Sequence, residues 1–141
     1  MELIKEYIDF IIFATLGIMA FVALYCTIER LLFFRKLDPQ SFKNQDHFDD
    51  AITENLTILH IIYSNAPYVG LLGTVIGIMI TFYDMGLSGS IDVKSIVIGL
   101  SLALKATALG LLVAIPTLIA HNALFRKVSL LSSAYKQKDN Q

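Results

Sequence analysis

An all-α membrane protein with three transmembrane helices is the architecture to which this 141-residue chain points, on three observations. Hydrophobic residues make up 55% of it and charged residues 16%, with a mean hydropathy of +0.64, a balance too apolar for an ordinary water-facing surface. The charges are bunched into a few short stretches. Between them lie three runs, each long enough for an α-helix to cross a hydrocarbon core of about 30 Å.

The first run, Phe10 to Ile28, is 19 uncharged residues. Its N-terminal flank carries Glu2, Glu6 and Asp9 against Lys5, and no small-residue cleavage site follows, so it reads as a retained anchor and not as a signal peptide. With its extension it occupies 1–36. A polar break at 37–45, LDPQSFKNQ, contains Pro39. From Asp46 a helical pattern resumes, with Ile52, Leu56, Leu59 and Tyr63 at helical spacing. The second uncharged run, Ile61 to Tyr83, has 23 residues, and the pattern predicts one continuous helix over 46–83. The connection at 84–94, rich in Gly and Ser, has room for a turn only. The third run, Ser95 to Ala120, is 26 residues interrupted by Lys105 alone, and belongs to a helix over 95–128 followed by a tail at 129–141.

Lysine and arginine set the orientation. Arg30, Arg35, Lys36 and Lys43 follow the first run, and Arg126, Lys127, Lys136 and Lys138 follow the third, whereas the other two flanks offer Lys5 and Lys94. The positive-inside bias therefore predicts an N-out, C-in topology with helical cytoplasmic extensions.

Composition also excludes. A net charge of −1 without a tail of like charges gives nucleic acid no electrostatic footprint. One cysteine, Cys26, excludes a disulfide framework and a multi-cysteine metal site. His47, His60 and His121 are not clustered with carboxylates in the sequence, so no metal site is expected. No serine, cysteine or histidine arrangement suggests a hydrolase, and neither an enzyme nor a catalytic residue is expected.

The second and third runs carry stripes of small residues. At about 100° per residue, Gly70, Gly73, Thr74, Gly77 and Thr81 gather on one side of the second helix. Gly99, Ala103, Ala106, Thr107, Gly110, Ala114 and Thr117 do the same on the third, and His121 extends the stripe. In lipid, small residues let backbones approach closely, so Gly70, Gly73, Gly77, Ala103, Gly110 and Ala114 are expected to pack helices. Thr74 and Thr107 are in addition expected to line a pore. Pro67 and Pro116 fall within spans and predict kinks. Arg126 and Lys127 are suited to meet anionic lipid headgroups.

Lys105 is the one ionisable group inside a span and lies 13 residues from Asp92, about 20 Å along a helix and near mid-membrane. A central lysine costs about 2.5–3.5 kcal/mol on insertion scales, which calls for a wet cavity, an acidic partner or loss of the proton. It is roughly opposite Thr107 around the helix, so the two do not face the same lumen squarely. No other span supplies an acid.

The segment NAPYVGLLGTVIGIMITF, Asn65 to Phe82, and the segment GLSLALKATALGLLVAIPTLIAHNALFRKV, Gly99 to Val128, together resemble the two core helices of the ExbB/TolQ/MotA family. The shared features are AP before G-L-x-G-T-V-x-G-I-M, then A-T-A-x-G-L, A-I-P and a closing asparagine before a basic patch. They cover about half the chain. Three spans agree with the ExbB and TolQ branches and fit MotA-type stators, with four, poorly. Small size and the look of the motif favour the ExbB branch, with a TolQ-like role, or a passive helical scaffold or pore without proton coupling, as alternatives.

The resemblance implies a proton-channel or motor subunit of the bacterial inner membrane. Copies of the chain assemble into a ring, a pentamer, around an ExbD-like single-span protein that brings a membrane aspartate, and a TonB-like protein carries the work to the outer membrane. No cofactor is implied beyond protons as the coupling ion. Thr74 and Thr107 match the family's lumen threonines, and a hydroxyl there solvates a carboxylate or transit water without fixing a charge. The chain departs from the pattern where the family's third-span glutamate falls on Leu102, with Lys105 at a usually apolar position. A base therefore stands near where an acid is usual, and Lys105 is expected either to stabilise the partner's aspartate or to close a contact between neighbouring subunits.

Overall fold

The computed structural model describes the backbone of residues 2–140 and the side chains of 3–138 and 140. Every regular element among them is helical: α1 (Glu2–Arg35), a 3-10 turn (Pro39–Ser41), α2 (Gln45–Thr53), α3 (Leu56–Ser88) and α4 (Val93–Asp139). Three stretches, Leu3–Arg35, Gln45–Ser88 and Val93–Lys138, are long and apolar enough to cross a membrane. At 1.5 Å per residue, the 47 residues of α4 extend about 70 Å, more than twice the hydrocarbon thickness. The most extensive contact joins α3 to α4, and α1 lies across both. Its Ile12, Leu16, Ala23 and Cys26 are buried against them, while Phe10, Ile18, Phe21, Leu24 and Tyr25 stay exposed. A chain this apolar on its outside is adapted to a hydrocarbon solvent.

Beyond the spans, one end of the molecule is a second core of α1, α2, α3 and α4, in which Phe34, Phe48, Ile52, Leu59, Leu124 and Val128 meet. Asp38 caps the 3-10 turn by accepting from the Gln40 amide at 3.0 Å, and Asn44 caps α2 by accepting from the His47 amide at 2.9 Å. Helix α2 is fastened to α4. Phe48 stacks on Tyr135 with ring centroids 4.3 Å apart, and the Ser132 hydroxyl donates to Asp49 at 2.7 Å.

Three boundaries differ from the expectation drawn from sequence. The helix over 46–83 is interrupted: Glu54 is extended, and Asn55 adopts the left-handed conformation at φ 67°. Asparagine is among the few residues that tolerate this region. The break is fixed from another helix, because the Asn55 side-chain amide donates to Glu29 of α1 at 3.0 Å. Helix α3 also continues past Tyr83 to Ser88, where Gly89 closes it at φ 66°, so the turn shrinks from 84–94 to Gly89–Asp92. Asp92 then caps α4, accepting from the Lys94 amide at 3.2 Å and the Ser95 hydroxyl at 2.6 Å, and these bonds, the hydroxyl's first, hold its carboxyl below the usual range. Lastly, 129–141 is not a separate tail: α4 runs through it to Asp139, held by Ser132 and Tyr135.

Candidate functional site

The seam between α3 and α4 can close because its contact positions lack side chains. A carbon added at Gly70 would lie 2.6 Å from the Ala106 carbonyl oxygen, and one at Gly110 2.7 Å from that of Ala66. At Gly73 and Gly77 it would meet the Ala106 and Ala103 methyl groups, each at 2.9 Å. Ala103, Ala106 and Ala114 are buried. All six residues expected to pack helices therefore lie in or beside contacts made within one chain.

Thr74 and Thr107 meet at the middle of this seam. Thr74 is 7% exposed and Thr107 half-buried, and their hydroxyls are hydrogen-bonded to each other. Thr74 Oγ1 also lies 2.9 Å from the Ala103 carbonyl oxygen and 3.3 Å from that of Gly70. A hydroxyl has one proton to give. The shorter contact makes Ala103 the acceptor for Thr74, which leaves Thr107 to donate to Thr74. Thr107's other acceptor, the Gly70 carbonyl, is at 3.5 Å. Sequence reasoning gave the small residues a packing role and set Thr74 and Thr107 in addition on a pore wall. The structure packs the glycines against the other helix of the same chain, since an α3–α4 hairpin joined by a four-residue turn brings its small faces together first. Only Thr107, of the pair, keeps appreciable surface.

Lys105 is exposed on the side of α4 turned away from Thr107, next to exposed Ser101 and Leu102. Among the described residues no acid pairs with it. Pro67 and Pro116 are each inside an unbroken helix. Pro116 lines an apolar groove between α1 and α4 with Leu16, Gly17, Ala20 and Leu112. Arg126 and Lys127 are exposed, and the Lys127 ammonium stands 5.6 Å from the centroid of the Phe34 ring.

Two polar groupings were not read from the sequence. The Arg30 side chain, 1% exposed, donates through Nε and Nη2 to both carboxylate oxygens of Glu29 at 2.6 Å and through Nη1 to the Ala51 carbonyl at 2.7 Å. Its hydrogen bonds, more than the partial burial that opposes them, hold the Glu29 carboxyl below its ordinary range, and the Asn55 amide adds to the effect. The second grouping brings together His60, Tyr63 and His121 at the end of the seam nearest α2, although His121 is 58 positions from Tyr63 and 61 from His60 in the sequence.

Comparison with known proteins matches residues 21–137 to the MotA/TolQ/ExbB proton channel family. The chain is 57% identical over 136 residues to the biopolymer transport protein ExbB of Helicobacter pylori, covering 96% of this chain and 94% of that protein. It is 53% identical over 128 residues to the protein of the same name from Aquifex aeolicus, covering 91% and 86%. A Tol-Pal system protein TolQ from Pseudomonas aeruginosa is 36% identical over 87 residues, covering 62% of this chain and 38% of that protein.

Proposed function

This chain belongs to the MotA/TolQ/ExbB proton channel family, and we propose that it is an ExbB-like ring subunit of a proton-driven motor in the bacterial inner membrane. Copies assemble as a homo-oligomer, a pentamer, with the N-terminus outside and the α4 extension in the cytoplasm, as the lysines and arginines favour. Inside the ring stands an ExbD-like single-span protein whose membrane aspartate takes up and releases protons, the coupling ion. A TonB-like protein delivers the resulting work to import across the outer membrane.

The observation that carries this reading is the Thr74–Thr107 hydroxyl pair, half-way along a seam whose neighbouring contacts on either side are made by Gly70, Gly73, Gly77, Ala103, Ala106 and Gly110. It supports a polar ledge beside which a partner's carboxylate is solvated at one setting and dry at another, so that its proton affinity alternates. Lys105, turned away from that ledge, better suits a contact between neighbouring copies than a bond to the aspartate. Arg126 and Lys127 face the headgroup layer.

The test is co-expression with the ExbD-like companion, purification, and measurement of proton uptake by liposomes holding the complex. A stable complex that conducts only with the companion's aspartate intact is expected. A chain that purifies alone and conducts nothing would instead favour a passive scaffold, and a requirement for Tol-Pal partners would favour a TolQ-like role.

A further inference from the structure

We propose that His60 and His121, with Tyr63, form the proton-accepting station at the cytoplasmic mouth of the conduction path, handing protons from the partner's acid to the cytoplasm. The inference rests on the channel reading above. Each histidine lies 14 residues along its helix from the threonine of the seam, so the pair stands about 21 Å from the hydroxyls, where the spans meet the cytoplasmic layer.

The rings come from different helices. His60 and His121 have centroids 5.9 Å apart, and Tyr63 stands 5.0 Å from each. His60 Nδ1 lies 2.7 Å from the Tyr63 hydroxyl. His121 Nδ1 lies 3.4 Å from Asn122 Oδ1. Phe125 stacks on the other face of His121. Among the described residues no carboxylate comes within ion-pairing distance of either ring, and the groups facing the pair are Tyr63 on α3 and Asn122 and Phe125 on α4.

No other residue of α3 or α4 between the threonines and this level is a base able to take a proton near neutral pH. In the step itself, the partner's carboxylic acid loses a proton to intervening water. Water passes it to an imidazole nitrogen, and the imidazolium yields it to cytoplasmic water or buffer. No other bond changes.

The test is proton flux through the complex with its ExbD-like companion in liposomes at low buffer strength, comparing the natural chain with His60→Gln, His121→Gln and the double variant. Flux in the double variant is expected to fall about tenfold or more and to recover when imidazole is added on the cytoplasmic face. Its dependence on cytoplasmic pH should flatten as well. A packing role alone leaves no deficit that a diffusible base can repair. Unchanged flux, or a loss that imidazole does not restore, overturns the assignment. If the double variant fails to assemble, the single variants are read by the same rescue. Absence of flux in the natural complex overturns the channel reading itself.

Discussion

Gly70 and Gly110 face each other across the α3–α4 seam so closely that a carbon added to Gly110 would stand 3.1 Å from the Gly70 Cα. The nearest obstacles to either substitution are backbone carbonyls, which cannot rotate aside. Gly70→Ala and Gly110→Ala should each destabilise the folded chain by about 1–3 kcal/mol, the range for overpacking a tight interior. Thermal unfolding in detergent checks this. Gly17→Ala, where nothing lies within 4 Å of the added carbon, should be neutral or slightly stabilising.

Replacing Thr74 or Thr107 by valine keeps the shape and removes the hydroxyl. Thr74→Val leaves the Ala103 carbonyl without its side-chain donor, and a stability loss of about 1 kcal/mol is expected. Proton flux should fall far more than stability does. Serine at either position should restore most of the flux, because it returns the oxygen.

Arg30→Met strands Glu29 beside a core. Breaking a buried pair costs about 3–5 kcal/mol, and because Glu29 is 32% exposed the low end of that range applies here. The same contact gives stability a dependence on acidity. Glu29 has a lowered carboxyl pKa in the folded chain, so its contribution is complete above the free-glutamate value of about 4.3 and is lost as pH falls through the lower folded value. Melting temperature recorded between neutral and acid pH should drop in that window, and Glu29→Gln should shrink the drop.

Lys105→Met exchanges an exposed lysine within an apolar run for an apolar chain of similar length. Given its position opposite Thr107, the variant is expected to insert at least as well and to conduct at the natural rate, with any change appearing in ring stability on native gels. Abolished conduction would instead set Lys105 opposite the partner's carboxylate.

The three long apolar helices and the small-residue stripes on two of them were legible because lipid imposes simple demands: uncharged length, and small residues where backbones touch. Which surface those stripes adjoin was not legible. Glycines that let helices approach can do so between copies or within one hairpin, and the short Gly89–Asp92 turn brings α3 and α4 of one chain together. The break at Asn55 was hidden for a related reason. Ile52, Leu56 and Leu59 keep a helical spacing through it, and the groups that fix the bend, Glu29 and Arg30, are 26 and 25 residues away in sequence. His60 and His121 look isolated along the chain and meet only because antiparallel helices bring equal distances from the threonines to one level.

The joint at Asn55 also decides how force travels. A rod that ran straight from α2 into α3 would carry every tilt or twist of the span outward. With Glu54 extended and Asn55 left-handed, that shaft is cut. Phe48, riding on Tyr135, and Asp49, tied to Ser132, couple α2 to the far end of α4, so α2 acts as a brace on α4 and not as a lever driven by α3.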